Sequence, residues 1–182
     1  MNSILFIHSA GPQEGREGSQ LLAHYLKKEC VNTHNIIHPA MPSPLDPYYA
    51  EWRKVIRRTL DLVEGEVTLI GHSLGGSVLL KFLAEEEVNI PINKLISIAA
   101  PFWGINKEWQ RKDFILHSNI SEKNPDVPNI FFLHSKLDAI VPIEHMQRYS
   151  KHFPQAKFIE LEGDAHLFTD GLPMLVELLK EV

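Results

Sequence analysis

Two hydrophobic periods alternate along the chain. Short apolar runs rich in β-branched residues fall at Ser3–His8, Asn35–His38, Glu66–Gly71, Lys94–Ala100, Asn129–Ser135 and Ala156–Leu161. Apolar runs without a polar alternate predict strands of a parallel sheet, buried on both faces. Between most of them the apolar positions recur every three or four residues, the period of an amphipathic helix. Gln20–Glu29 presents Leu21, Leu22, Tyr25 and Leu26; Leu74–Glu87 presents Val78, Leu79, Phe82 and Leu83; Pro142–Phe153 presents Met146 and Tyr149; and Gly171–Glu181 presents Leu175, Leu178 and Leu179. The clearest helix is Pro47–Val63, with Tyr48, Trp52, Val55, Ile56, Leu60 and Val63 on one stripe. Asp46 is placed to cap it and Pro47 suits its first position, where no N–H is needed. Strand–helix alternation implies an α/β fold, a three-layer sandwich with a parallel sheet between helices.

One stretch breaks the rhythm. Pro101–Pro128 holds Phe102, Trp103 and Trp109 but no strand. An excursion this long from a sheet end reads either as a lid or binding loop or as a crossover that packs its aromatics in the core. With 182 residues the chain is expected to form one domain, 1–182, with 101–128 as a short lid-like excursion.

Composition narrows the setting. A hydrophobic fraction of 44% and a charged fraction of 23% are those of a globular protein. A net charge of −5, with no basic cluster beyond Arg53-Lys54 and Arg57-Arg58, argues against a nucleic-acid partner. No apolar run approaches the roughly 18 residues of a membrane span, and Ile4–Ile7 is too short for a signal peptide core. A single cysteine, Cys30, excludes an internal disulfide, so the expected location is the cytoplasm. Ten histidines are present, yet His34 and His38 lack a third ligand, so no metal is expected.

The chemistry concentrates at Gly71-His72-Ser73-Leu74-Gly75, a G-x-S-x-G match. By composition, chance would supply about 0.03 such matches. Context adds more: a strand runs straight into the motif and a helix leaves it, the strand–turn–helix setting of a nucleophile elbow. Side chains two before and two after the serine would collide in so sharp a turn, hence glycine at both. The helix start beneath Ser73 offers free N–H groups and a positive dipole end.

A serine hydroxyl needs a base. Asp138 leaves the carboxyl end of the fifth strand and His166 that of the sixth, where sites of open α/β sheets form. Asp164 is the rival acid, two residues from His166. His8, His72 and His134, at strand ends, read as packed or pocket-lining. His24, His117, His145 and His152 read as surface. Oxyanion donors are expected from the N–H of Leu74 and from the loop after the first strand, at Ala10 or alternatively Ser9. Phe102, Trp103, Trp109 and Phe168 are candidates to line the pocket.

Together His8-Ser9-Ala10-Gly11, Gly71-His72-Ser73-Leu74-Gly75-Gly76, Asp138-Ala139-Ile140-Val141-Pro142 and Gly163-Asp164-Ala165-His166 resemble the α/β-hydrolase superfamily. The chain begins at the strand that carries the oxyanion loop, which resembles the small serine hydrolases related to the retinoblastoma-binding serine hydrolase and its bacterial relatives. Ile37-His38-Pro39-Ala40-Met41-Pro42 and the Trp52 helix fit that group too. The resemblance implies a minimal α/β-hydrolase fold, six strands in the order 2-1-3-4-5-6, and hydrolysis of an ester or amide through an acyl-enzyme, with no metal or dissociable cofactor. The L-x-C-x-E motif of the animal member is missing around Cys30, so its partner does not carry over. The expected function is a carboxylesterase acting on a small molecule. A non-catalytic binding or scaffold protein, and an acyltransferase or peptidase using the same triad, are the alternatives.

Overall fold

The computed structural model describes residues 2–116 and 127–181. Six strands, β1 (Asn2–Ile7), β2 (His34–Ile37), β3 (Val67–His72), β4 (Ile92–Ile98), β5 (Asn129–Ser135) and β6 (Lys157–Leu161), form one sheet in the order β2-β1-β3-β4-β5-β6. Every neighbouring pair is parallel. The helices are α1 (Gln20–Cys30), α2 (Tyr49–Leu60), α3 (Leu74–Glu85), α4 (Glu144–Ser150) and α5 (Pro173–Lys180).

Side chains alternate across each strand, and both sides are covered. On one face Leu5, Ile7, Leu69, Leu95 and Phe132 meet Trp52 and Ile56 of α2, Val78 and Phe82 of α3, and Tyr149 of α4. On the other, Ile4, Phe6, Ile70, Ile96 and Phe131 meet Leu22 and Leu26 of α1 and Leu175 and Leu179 of α5. Odd and even positions of β1 thus feed different cores, as a pleat with period two requires. The ammonium of Lys94, buried on β4, donates to the carbonyls of Leu178 and Glu181 and so caps the carboxyl end of α5.

The start of α2 departs from expectation. Tyr48 is extended and the helix begins at Tyr49, beyond Asp46 and Pro47. The Asp46 carboxylate accepts instead from Arg111 (3.1 Å) and from the Tyr48 hydroxyl (3.2 Å). The first N–H of the helix, from Tyr49, goes to Asp113 Oδ2 at 3.1 Å. Asp113 belongs to a 3-10 turn, Lys112–Phe114, in the stretch after β4. In that stretch Phe114 is fully buried, and Trp103 packs at the edge of the same core. Residues 117–126 of the 101–128 excursion, His117 among them, lie outside the described residues.

Candidate active site

At the end of β3 the chain reverses within one residue. Ser73 has φ +51° and ψ −119°, and α3 starts at Leu74. A side chain rarely tolerates this backbone, so the turn holds strain. Three glycines make it possible, each against a different obstacle. A Cβ at Gly71 would lie 2.5 Å from the backbone of Gly75 and Gly76. At Gly75 it would run into the carbonyls of Ile7 and His8 at the end of β1, and at Gly76 it would come within 2.6 Å of Ser97 Oγ. The flanking glycines therefore avoid β1 and β4 as well as each other. The Ser73 N–H donates to the Ile98 carbonyl at 2.7 Å, which ties the elbow to β4.

Two other strand ends bring their residues to this serine. Ser73 Oγ lies 3.2 Å from His166 Nε2, and His166 Nδ1 lies 2.7 Å from Asp138 Oδ2. The other Asp138 oxygen accepts the N–H groups of Ile140 and Val141, both at 2.9 Å. Asp138 and His166 are 5% and 7% exposed, while Ser73 stays half-buried and open to solvent. Burial alone would raise the Asp138 pKa, but hydrogen bonds from His166, Val141 and Ile140 outweigh it and hold the carboxyl below its ordinary value. A carboxylate there fixes Nδ1 as the protonated nitrogen and leaves Nε2 free to accept from Ser73. Asp164, the rival acid, is exposed, and none of the hydrogen bonds of His166 goes to it.

The N–H of Ser9 is engaged by Ser19 Oγ at 2.8 Å. Among the described residues, those of Ala10 and Leu74 have no hydrogen-bond acceptor in the chain.

Buried histidines surround the site. His134 donates through Nε2 to the Val141 carbonyl at 2.6 Å and bolsters the Asp138 loop. His72 is fully buried, and that burial pushes its pKa down to about 3. His145 is buried on α4, not at the surface as its helical position suggested. Its Nδ1 accepts the Phe102 N–H at 2.8 Å, its ring meets Trp109 edge to face, and burial lowers its pKa to about 4. His24 is exposed and His152, stacked on Phe102, is half-buried.

Of the aromatic candidates, Phe102 and Phe168 are buried, the latter against His72. Trp103 and Trp109, 5.3 Å apart, are half-buried. A broad recess of about 1070 Å³ opens elsewhere, between Glu66, Leu83, Val88, Pro91 and Val127 at the amino ends of the strands. It contains none of these residues, and ligand sites of open α/β sheets form at the opposite end. Among the described residues no His, Cys, Asp and Glu cluster is arranged to hold a metal.

The sequence model of a family described as serine hydrolase matches residues 18–172. No curated protein matches the chain by sequence. Solved structures do match in fold. The ydeN gene product of Bacillus subtilis is 20% identical with a TM-score of 0.83, over 98% of this chain and 97% of that one. A meta-cleavage product hydrolase of Pseudomonas fluorescens is 11% identical with a TM-score of 0.75, over 98% and 89%. The esterase domain of a Rhodothermus marinus protein is 17% identical with a TM-score of 0.69, over 97% and 84%. At these identities the likeness is one of fold, that of the α/β hydrolases.

Proposed function

As the chain belongs to the serine hydrolase family, we propose that it cleaves carboxylic esters of small molecules through Ser73, His166 and Asp138. The observation that carries this reading is the unbroken line of hydrogen bonds from Asp138 through His166 to a half-buried serine on a strained elbow.

In this mechanism Ser73 Oγ attacks the ester carbonyl carbon while His166 Nε2 takes its proton. Asp138 holds the imidazole in the right tautomer and stabilises the imidazolium. The negative oxygen of the tetrahedral intermediate accepts from the N–H of Leu74 and of Ala10, with the start of α3 beneath it. Ser9 is the poorer second donor, because its N–H is already spent on Ser19. Collapse expels the alkoxide, which leaves as an alcohol with the proton from His166. Water activated by the same imidazole then hydrolyses the acyl-serine. No step calls for a metal or cofactor.

The same proposal covers the setting. Residues 1–182 act as one hydrolase domain, and the excursion at 101–128, of which 117–126 lie outside the described residues, is assigned as its short cover. Trp103 and Trp109 offer their exposed faces to the acyl chain, with Phe102 and Phe168 completing the lining. A cover this short favours small acyl groups over long-chain lipids. Among the described residues no helix is long and apolar enough to cross a membrane, and the single, buried cysteine agrees with a cytoplasmic location.

The test combines a fluorophosphonate probe with p-nitrophenyl esters of graded chain length and aminoacyl amides. Covalent labelling at Ser73, with highest kcat/KM on short esters, is the expected result. A protein that neither labels nor turns over is a binding module. Product transferred to an added alcohol or amine points to an acyltransferase, and faster cleavage of amides to a peptidase.

A further inference from the structure

Ser19 sits at the amino end of α1, and its hydroxyl makes no capping bond to its own helix. Serine at that position ordinarily accepts from the first turn of N–H groups. Here the side chain is fully buried and turned away, toward two other loops.

The hydrogen bonds around it allow one arrangement of protons. His72 Nε2 lies 2.7 Å from the carbonyl oxygen of His166, an acceptor, so Nε2 carries the hydrogen. With burial holding the ring neutral, Nδ1 must then accept. The Ser19 hydroxyl, 2.7 Å from that Nδ1, donates to it. Ser19 Oγ in turn accepts the Ser9 N–H at 2.8 Å. The Ser19 N–H donates to His8 Nε2 at 3.0 Å, and His8 Nδ1 donates to the Ser9 carbonyl at 2.8 Å. Gly18 lets this segment approach, since a Cβ there would lie 2.7 Å from the Pro12 carbonyl and would also strike the His8 ring.

We propose that Ser19 is a positioning residue of the active site, whose hydroxyl ties the oxyanion loop at Ser9 to the backbone of His166 by way of His72. The inference rests on the esterase reading above, because catalysis through the triad requires Ala10 and His166 to keep a common register with Ser73. Holding the Ser9 N–H against Ser19 leaves the next one, of Ala10, as the donor for the substrate oxygen. Holding the His166 carbonyl against His72 fixes the loop from which the imidazole reaches Ser73. Removing the hydroxyl deprives two buried groups, the Ser9 N–H and His72 Nδ1, of their partner where no water reaches.

The experiment compares wild type with Ser19→Ala, Ser19→Thr and His72→Asn, reading kcat and KM on p-nitrophenyl acetate and the rate of fluorophosphonate labelling. Cys30→Ala, a buried change on the same helix, is the control for lost stability. Ser19→Ala is expected to lower kcat and labelling by about 10- to 100-fold, as small misplacements of reacting groups do, with KM within about threefold. Ser19→Thr, which keeps the hydroxyl, restores most of the rate. His72→Asn keeps an acceptor for Ser19 but loses the donor to His166 and is expected to fall with Ser19→Ala, so it decides the matter if Ser19→Ala does not fold. A folded Ser19→Ala or His72→Asn with wild-type kcat overturns the proposal, as does an equal loss in Cys30→Ala. Wild type without labelling or turnover overturns the esterase reading and this inference with it.

Discussion

The middle of the sheet and its carboxyl rim are built on opposite rules. In the middle, Leu5, Leu69, Leu95 and Phe132 are held by many interchangeable apolar neighbours. At the rim, the polar groups that set the site, His166, Asp138 and Ser19, each have specific partners, and four non-glycine residues among those described, Ser43, Ser73, Ala99 and Phe168, take positive φ. The interior spreads its stabilisation over contacts that substitute for one another, whereas the rim spends stability on geometry. Damage in the two places should therefore differ in kind.

The sharpest break belongs to the rim. Ser73→Ala and His166→Ala should each nearly abolish turnover of p-nitrophenyl acetate, and the double variant should be little worse, since these groups act as a unit. Asp138→Asn should cost roughly 10⁴ in rate by stabilising the wrong tautomer. Ser73→Ala should unfold in urea close to wild type, whereas His166→Ala and Asp138→Asn, which break the buried carboxylate's hydrogen bonds, should also lose stability. If Asp138→Asn stays active while Asp164→Asn does not, the acid has been misassigned.

The interior answers in stability. Phe132→Ala should cost about 3–5 kcal/mol by loss of burial and the cavity left behind. Its remaining folded fraction should turn over substrate at close to the wild-type rate per active site, counted by burst or probe labelling.

Acid addresses the rim again. Burial lowers the pKa of His72 to about 3 and of His38 and His145 to about 4. The unfolded chain protonates each near 6.5 and so binds more protons than the folded one below that value. Stability should be full above about pH 6.5 and fall toward pH 4, by up to about 1.4 kcal/mol per pH unit for each histidine. The Asp138 carboxyl, held low, adds a loss that sets in only below its unfolded value of about 3.9. Urea midpoints between pH 4 and 8 measure this, and a flat profile would show that these rings are not kept neutral by the fold.

The smallest effect is also the most diagnostic. Strain at Ser73 should cost about 1–3 kcal/mol, and glycine relieves it at an entropic cost of about 0.5–1 kcal/mol. Ser73→Gly should thus be as stable as wild type or slightly more so, though inactive. A loss well beyond about 1 kcal/mol would remove the strain argument.

What the sequence made legible follows the same division. The six strands, their burial on both faces, and the placing of Ser73, Asp138 and His166 at strand ends all come from local pattern. The misreadings are non-local. Asp46 has every local mark of a helix cap, but Arg111 claims its carboxylate and Asp113, 64 residues beyond Tyr49, takes the capping role. His145 looks exposed on its helix until Phe102 and Trp109 fold over it. Ser19 carries no signal in the sequence at all, because its partners lie at Ser9 and at His72, 53 residues away. In each case the deciding partner comes from another loop, and no period or spacing announces it.

The strand order sets a timetable for synthesis. β1 emerges first, but its neighbour β3 pairs Val67 with Ser3, 64 residues later in the chain. At about 5–20 residues per second, the apolar Ile4–Ile7 segment waits roughly 3–13 seconds for that edge to be covered. The elbow waits as well, since Gly75 packs on the carbonyls of Ile7 and His8. A nascent chain therefore closes the second edge of β1 and shapes its reactive turn in one event, and a ribosome stalled between residues 37 and 67 would hold out β1 with only β2 beside it and no elbow yet made.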